Sequence, residues 1–330
     1  MKARKLGEGG PEVPALGVGA MSFSDFYGPT TEENSHAVLR AAFEAGIRHI
    51  DTSNVYGMGR SEEAIGAFLR EVPQAREQFV IATKAGIVPG PKRRFDNSPE
   101  HLVSELEGSL GRLGVEAVDL FYVHRRDQSI PIEEVAGTLG EIVRSGKAKA
   151  VGFSEIAPSS LRRAHAVFPV AAVQSEYSLS TRAPELGLVQ TCAELGVALV
   201  AFAPVGRSLL TDHPLPLEVA QGLGFLKQNP RFMEPNYAAN IAVTDRLRAL
   251  AREMGEPTAA LAIAWVLSRG EHVHAIPGTR SVAHFRELLR GAELELSDAD
   301  LAAIEAALPV GWAHGDRYSE AQWVGPERYC

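Results

Sequence analysis

Short runs of apolar residues alternate with longer amphipathic segments along most of this 330-residue chain. The runs are apolar throughout, rather than alternating with polar residues, and this pattern is typical of parallel strands buried on both faces. The runs predict eight strands, over residues 15–20, 47–51, 79–84, 118–123, 148–154, 171–174, 197–202 and 273–276.

The segments between these strands carry apolar residues at helical spacing. Thr31 and Ser98 are suitable N-cap residues, and Pro99 suits a first helical position. The pattern predicts helices over residues 32–45, 61–70, 101–113, 132–145, 159–167, 185–195, 239–254, 258–268, 282–289 and 298–308. Residues 4–14 predict a β-hairpin around Gly9-Gly10, and residues 88–99 and 211–235 are predicted to be loops.

Eight strand–helix units predict a parallel sheet that closes into a (β/α)8 TIM barrel. The N-terminal β-hairpin, an extra C-terminal helix and an aromatic tail are additions to it, and residues 1–330 are expected to form a single domain. The alternative is an open doubly wound sheet with a dinucleotide fingerprint in its first turn. Gly17 and Gly19 begin such a fingerprint, but Ser22 stands where the third glycine is needed, so the barrel is favoured.

Composition narrows the class of protein further. Hydrophobic residues make up 45% of the chain, and the net charge of −8 argues against a nucleic-acid partner. No apolar run is long enough to span a membrane. Cys192 and Cys330 form no disulfide framework, and the N-terminus has no apolar signal segment, so a cytoplasmic location is expected. The sequence has no HExxH motif, and no metal is expected.

Three polar residues stand at the ends of consecutive predicted strands: Asp51, Lys84 and His124. Active sites of (β/α)8 barrels lie at the carboxyl ends of the strands. Neighbouring strands are about 4.8 Å apart, so these side chains can share one mouth with Tyr56, which follows in the loop after Asp51.

Each of these residues also has an ordinary structural explanation. Asp51 can cap a turn, Tyr56 can be a loop aromatic, Lys84 a solvated strand end and His124 a hydrogen-bonded core residue. A lysine and an aspartate on adjacent buried strand ends must pair, however, because lone buried charges are costly. The nearby ammonium is expected to lower the pKa of Tyr56 and make it a general acid and base.

The sequence resembles the aldo-keto reductase superfamily over essentially its whole length, and is most similar to the microbial and plant branch that reduces aldehydes such as pyridoxal. The motifs that carry the resemblance lie at residues 51–57, 82–84, 119–127, 146–155, 174–179 and 276–281. The resemblance implies NADPH-dependent reduction of a carbonyl. It assigns proton donation to Tyr56, tuning of this tyrosine to Lys84, support of the lysine to Asp51 and positioning of the carbonyl to His124.

The resemblance also implies a set of cofactor contacts. Arg280 is expected to meet the 2′-phosphate of NADPH, whereas His284 and Leu288 replace the usual arginine and asparagine, so NADH is an alternative cofactor. Phe202 stands where a tyrosine or tryptophan usually stacks on nicotinamide. The expected contacts are Ser154, Glu155, Gln174, Phe202, Gly206, Arg207, Ser208, Leu210, Gly278, Thr279, Arg280, His284 and Glu287.

Aromatic and sulfur-containing residues are expected to form the substrate pocket: Met21, Phe23, Phe26, Tyr27 and Trp312. The basic run 92–94 can meet an anionic substrate, although such runs are more often solvated loop tips. The expected partner is a small-molecule carbonyl compound, and the expected state is a monomer or small homo-oligomer. Three alternatives stay open: an NAD(P)+-dependent alcohol or sugar dehydrogenase, a cofactor-binding regulatory barrel, and a lyase or isomerase with a Lys84 Schiff base.

Overall fold

A computed structural model describes residues 1–90 and 92–329. Cys330 lies outside the described residues. The strands are β1 (Ala3–Lys5), β2 (Glu12–Pro14), β3 (Val18–Gly19), β4 (His49–Asp51), β5 (Val80–Ala85), β6 (Ile87–Val88), β7 (Arg94–Phe95), β8 (Val118–Val123), β9 (Ala148–Ser154), β10 (Ala172–Glu176), β11 (Ala198–Phe202) and β12 (Val273–Ala275).

The helices lie between and after these strands. They are α1 (Glu32–Glu44), α2 (Arg60–Glu71), α3 (Pro73–Gln78), α4 (Pro99–Leu113), α5 (Ile132–Arg144), α6 (Pro158–Val167), α7 (Leu188–Leu195), α8 (Leu217–Gln221), α9 (Asn236–Met254), α10 (Thr258–Leu267), α11 (Val282–Glu293) and α12 (Asp298–Ala307). Short 3₁₀ segments cover Ala20–Ser24, Ala183–Leu186, Gly206–Ser208, Leu226–Gln228 and Pro230–Phe232. No helix among the described residues is both long and apolar enough to cross a membrane.

Eight parallel strands form one sheet in the spatial order β3-β4-β5-β8-β9-β10-β11-β12. The sheet closes because the segment before β3 hydrogen-bonds to β12. Ala275 N donates to Ala15 O at 2.8 Å, Gly17 N donates to Ala275 O at 2.8 Å, and Gly19 N donates to Pro277 O at 2.9 Å. The (β/α)8 barrel is therefore confirmed, and the open-sheet alternative is wrong.

Side chains of successive strand residues separate into two cores, as the pleat requires. On β8, Leu120 and Tyr122 belong to a small cluster inside the barrel, whereas Phe121 and Val123 pack outward in the large cluster with the helices. The antiparallel hairpin β1–β2 contributes Leu6 and Val13 to the interior cluster. The predicted hairpin thus helps to close the end of the barrel opposite the strand carboxyl ends.

Most predicted elements are present, with small shifts in their bounds. Thr31 and Ser98 accept the expected capping hydrogen bonds. The predicted helix 185–195 is divided at Gly187, whose φ of 129° breaks the helical path. The predicted loops are also partly ordered: 88–99 contains β7, which pairs with β6, and 211–235 contains α8 and two 3₁₀ segments. Such short elements depend on tertiary packing and carry little signal in the local pattern.

Candidate active site

The carboxyl end of the barrel holds a buried ion pair between β4 and β5. The Lys84 ammonium donates to Asp51 Oδ1 and, at 2.6 Å, to Thr52 O. The other oxygen, Asp51 Oδ2, accepts from Gln174 Nε2 at 2.8 Å. Both charges are shielded from solvent. The pairing expected for two adjacent buried charges is therefore present.

Tyr56 approaches this pair from the loop after β4. Its backbone N–H donates to Ser53 O at 3.1 Å, which folds the loop back toward the strand ends. Lys84 Nζ lies 3.4 Å from Tyr56 Oη and 5.0 Å from the centre of the tyrosine ring. The ammonium thus contacts an aspartate on one side and a phenol on the other.

His124 completes the group at the end of β8. Its Nδ1 lies 3.0 Å from Ser53 Oγ, and its ring packs edge-on against Tyr56 with centroids 5.7 Å apart. Burial, with the charges of Arg125, Lys84 and Arg93, holds the pKa of His124 well below its ordinary value. The imidazole is therefore neutral near pH 7.

The acidity of Tyr56 differs from the expectation. Burial raises the pKa of this phenol, with Asp51 adding to the effect, and together they outweigh the opposing influence of Lys84. The expectation of a lowered pKa was wrong because it counted the ammonium without the desolvation and without the carboxylate behind it. Burial also opposes the charge on Lys84, but Asp51 and Tyr56 raise the pKa of this lysine.

A cleft of about 790 Å³ opens beside Tyr56 and His124 and extends to the start of α11. Its volume lies within the ordinary range for small-molecule and cofactor sites. Many of the residues expected around the cofactor and substrate line it: Met21, Phe26, Tyr27, Ser154, Gln174, Phe202, Arg207, Ser208, Gly278, Thr279, Arg280, His284 and Glu287.

Other expected residues do not line the cleft. Phe23 and Leu210 are buried in hydrophobic packing. Trp312 is buried as well, and its Nε1 donates to Leu179 O at 2.8 Å, so it supports the tail rather than forming a pocket wall. Gly206 is a turn residue with a φ of 58°.

Glu155 also departs from its expected position. Its carboxylate accepts from Glu176 N at 2.8 Å and from the Arg317 guanidinium, away from the cleft. The reason is electrostatic, because a buried carboxylate is stable only where a cation and hydrogen-bond donors meet it. The carboxylate of Glu155 is therefore not assigned to the nicotinamide.

The far end of the cleft offers groups suited to a nucleotide phosphate. Ser281 caps α11, whose first backbone N–H groups form a site favourable to anions. Arg280 stands at this end, with Nη1 bonded to Pro29 O at 2.8 Å. Gly278 lies so close to β3 that a Cβ atom would approach Gly19 O to 2.7 Å. Together with Phe202 and Gln174 near Tyr56, these groups fit a nicotinamide dinucleotide.

A buried ionic cluster attaches the loops and tail to the mouth of the barrel. The Glu176 carboxylate, at the end of β10, accepts from the Arg207 guanidinium at 2.7 Å. Its oxygens also lie 3.7 Å from guanidinium nitrogens of Arg231 and Arg317. We call Glu155, Glu176, Arg207, Arg231 and Arg317 the tail cluster. Arg207 therefore lines the cleft while its charge is already paired with Glu176.

Several cleft residues were not identified from the sequence. Phe225 comes from a long loop, and local pattern gives no sign that it reaches the cleft, whereas Tyr318 belongs to the aromatic tail noted in the sequence. Arg125 had a usable signal, since it directly follows His124 at a strand end. Among the described residues, no group of three or more His, Cys, Asp or Glu side chains could hold a metal ion.

Comparison with known proteins gives a consistent result. A family model described as the aldo/keto reductase family matches residues 15–309. The chain is 40% identical over 317 residues to a probable aldo-keto reductase 1 of Glycine max, covering 95% of this chain and 91% of the relative. It is 35% identical to a Schizosaccharomyces pombe aldo-keto reductase, yakc, whose name specifies NADP(+), covering 96% and 94%.

Solved structures with the same fold include the glycerol dehydrogenase AKR11B4 from Gluconobacter oxydans. It has a TM-score of 0.79 and 28% identity, covering 90% of this chain and 92% of that one. The thermostable aldo-keto reductase Tm1743, solved with the inhibitor epalrestat, has a TM-score of 0.73 and 28% identity, covering 93% and 100%. The aldo-keto reductase AKR11C1 from Bacillus halodurans matches in fold, with a TM-score of 0.78 at 24% identity, covering 98% and 99%.

Proposed function

Because the chain belongs to the aldo/keto reductase family, we propose that it reduces the carbonyl group of an aldehyde or ketone to an alcohol with NADPH. The observation that carries the proposal is the hydrogen-bonded series Asp51–Lys84–Tyr56, which meets His124 at a cleft of suitable size. Bound NADPH would supply the hydride that adds to the carbonyl carbon.

In this proposal Tyr56 supplies the proton. As the carbon–oxygen π bond breaks, the Oη–H proton of Tyr56 passes to the carbonyl oxygen. The Lys84 ammonium then lies beside the phenolate that remains and stabilises its charge. Asp51 and Thr52 O hold that ammonium in place. The raised pKa of Tyr56 keeps the donor protonated at neutral pH.

His124 has a different role. Because its imidazole is neutral, it can orient the carbonyl through a ring N–H without competing with Tyr56 as an acid. The contact between Nδ1 and Ser53 Oγ holds the ring in place. The Ser53 hydroxyl has a second acceptor in Lys84 O at 3.2 Å. We assign its proton to the nearer His124 Nδ1, which places the imidazole proton on Nε2 and leaves a donor for the substrate.

The cofactor contacts follow the shape of the cleft. Ser154, Gln174 and Phe202 would hold the nicotinamide, because they lie around the catalytic group. Ser208, Gly278 and Thr279 would line the phosphates. Arg280 would pair with a 2′-phosphate, for which its planar fork is suited, and this supports NADPH over NADH. An efficiency ratio that favours NADH by tenfold or more would contradict that preference.

The reverse reaction is the second candidate. Oxidation of an alcohol or sugar with NAD(P)+ uses the same groups, and the similarity to a glycerol dehydrogenase favours it over the remaining alternatives. A Schiff base on Lys84 is disfavoured, because the ammonium is buried against a carboxylate and is not a free amine. A regulatory barrel without turnover is disfavoured by the intact hydrogen-bonded group.

Substitution of Tyr56 tests the proposal. In Tyr56→Phe we expect kcat for an aldehyde to fall by about a hundredfold or more, the usual contribution of a positioned acid. NADPH affinity, measured by fluorescence titration, should stay nearly unchanged. Turnover is measured by the absorbance of NADPH and of NADH with a panel of aldehydes and ketones.

Tyr237→Phe is the matched control, because Tyr237 does not line the cleft and donates to Leu215 O. This variant should keep its turnover. A Tyr56→Phe enzyme with undiminished kcat would refute the proton-donor assignment. Loss of NADPH affinity instead would make Tyr56 a binding residue.

A further inference from the structure

Arg125 presents a buried guanidinium to the cleft beside the catalytic group. It follows His124 directly at the end of β8, and 7% of its surface is exposed. Nη1 donates to His124 O at 2.6 Å and to Ser154 Oγ at 2.9 Å. Nε is buried and has no hydrogen-bond partner within residues 1–90 and 92–329. The guanidinium is thus fixed by one nitrogen while another has no acceptor.

No carboxylate of the described chain pairs with this guanidinium. The acids nearby already have other cations, since Glu155 is bound by Arg317 and Glu327 by Arg126. Arg93 adds a further positive charge from the β6–β7 hairpin. Burial and the charges of Arg125, Lys84 and Arg93 all act to keep His124 unprotonated. The substrate side of the site therefore has an excess of positive charge.

An excess of this kind is unfavourable unless an anion joins it. A guanidinium held out of water without an ion-pair partner is unfavourable. The planar fork of arginine matches the geometry of a carboxylate or phosphate. Nε is closed off from the cleft, so the contact falls to the part of the guanidinium that lines it, and an acidic group on the ligand would supply the missing counter-charge there.

We propose that the substrate is a carbonyl compound that also carries an anionic group, a carboxylate or a phosphate, and that Arg125 binds this group. The carbonyl then lies against Tyr56 and His124. Arg93, which is exposed, increases the rate of capture by attraction over a longer range. The inference rests on the proposed carbonyl reduction and adds the chemical class of the substrate.

The position of Arg125 favours the substrate over the cofactor. The phosphate-binding end of the cleft follows β12, whereas Arg125 follows β8. Three strands, β9, β10 and β11, separate them in the sheet. The phosphates of the dinucleotide therefore do not satisfy Arg125 while they lie at α11.

Matched substrates test the proposal in turnover. We compare 3- and 4-carboxybenzaldehyde with their methyl esters, and pyridoxal 5′-phosphate with pyridoxal. For at least one pair, kcat/KM of the anion should exceed that of the neutral partner by about tenfold or more, as expected for a charge-assisted contact. An ester withdraws electrons more strongly than a carboxylate, so intrinsic reactivity in the benzaldehyde pairs opposes this result. The pairs also distinguish carboxylate from phosphate.

Variants connect the preference to one side chain. Arg125→Gln should bring the anion-to-neutral ratio close to one and leave turnover of the neutral aldehyde measurable. Lys92→Gln is the matched control, because Lys92 is in the same basic run as Arg93 but does not line the cleft. If Arg125 had only a structural role, the variant would lower kcat/KM for the anionic and the neutral substrate by the same factor. The ratio would then stay unchanged, and that result overturns the proposal.

A binding measurement separates this inference from the proposed function. Benzoate and inorganic phosphate are titrated by calorimetry into the protein saturated with NADP+, with benzamide as the neutral comparison. We expect one anion to bind, and Arg125→Gln to weaken it by about tenfold or more. If no carbonyl is reduced but this binding remains, the reductase proposal fails and the anion site stands. If neither anion binds, and no anionic aldehyde is preferred, the anion site is refuted. If Arg125→Gln instead weakens the binding of NADP+, Arg125 belongs to the cofactor site.

Discussion

Lys84 shows how one buried charge is stabilised by its immediate neighbours. Desolvation opposes its ionisation, but Asp51, Thr52 O and Tyr56 surround the ammonium. Asp51 in turn accepts from Gln174. Neither ion is left with an unused strong acceptor or donor, which is the condition under which a buried pair persists. The same ion pair holds Tyr56 Oη at the edge of the cleft.

The pH dependence of turnover follows from the raised pKa of Tyr56. Carbonyl reduction needs the phenol protonated, so kcat/KM should be lost only as the pH rises above the ordinary tyrosine value of about 10. Alcohol oxidation needs the phenolate and should therefore increase with pH over the same range. His124 is neutral across this range, because its pKa is lowered. Initial rates in both directions between pH 6 and 11 check this prediction, and a reduction rate that falls near pH 7 would contradict it.

At the scale of elements, the strands bring Asp51, Lys84 and His124 together, and the loops complete the cleft around them. Asp51, Lys84 and His124 come from neighbouring strands, whose ends are held in register by the parallel ladder. The loop after β11 and the C-terminal tail are attached separately, through the tail cluster. Glu176 is central to that cluster, because three arginines approach it.

The ionisation of Glu176 should contribute to stability in a defined pH range. Burial opposes its charge, but Arg207, Arg317 and Arg231 outweigh burial and lower the pKa of Glu176 to about 2. The folded value is below the ordinary glutamate value of about 4.3. The stabilisation is therefore complete above that ordinary value and is lost as the pH falls toward 2.

Glu176→Gln should accordingly lower the free energy of unfolding by about 3 kcal/mol at pH 7, because it leaves buried arginines without their partner. The difference from wild type should shrink as the pH falls below about 4. Urea unfolding at several pH values measures it. Glu271→Gln is the control, since its carboxylate is 81% exposed beside Arg4 and should matter little. A loss of equal size in both variants would contradict the role of the cluster.

At the scale of the whole molecule, the cleft joins opposite sides of the barrel mouth. Its walls include the segment after β3, the ends of β8 to β12, the loop after β11, the start of α11 and the tail. A ligand that fills this cleft should stabilise the folded protein, because the unfolded chain has no such site.

NADPH at a hundred times its Kd should raise the free energy of unfolding by about 2.7 kcal/mol. NADH at the same concentration should raise it less if Arg280 meets the 2′-phosphate. Arg280→Leu should remove the difference between the two cofactors. Arg286→Leu is the matched control, because Arg286 lies on α11 but does not line the cleft. Thermal unfolding with each cofactor measures the effect, and equal stabilisation of wild type by both would contradict the assignment.

The sequence by itself determined the barrel and which polar side chains meet at its mouth. Strand periodicity and strand ends are local properties, and parallel strands bring their carboxyl ends to one mouth whatever the loops do. The positions of Asp51, Lys84 and His124 at consecutive strand ends are therefore enough to predict that they lie together. Tyr56 joined them from its place in the loop after Asp51, and the family motifs added the proposed chemistry.

Only the tertiary structure decided the environment of each group. The raised pKa of Tyr56 depends on burial by distant segments, and the direction of Glu155 depends on Arg317 in the tail. Trp312 holds the tail in place rather than forming a pocket wall, because its Nε1 donates to Leu179 O. That Arg125 has no ion-pair partner within residues 1–90 and 92–329 became visible only from the pairing of the neighbouring acids. The burial of a group and the charges that pair with it depend on residues far apart in sequence, so no local sequence pattern predicts them.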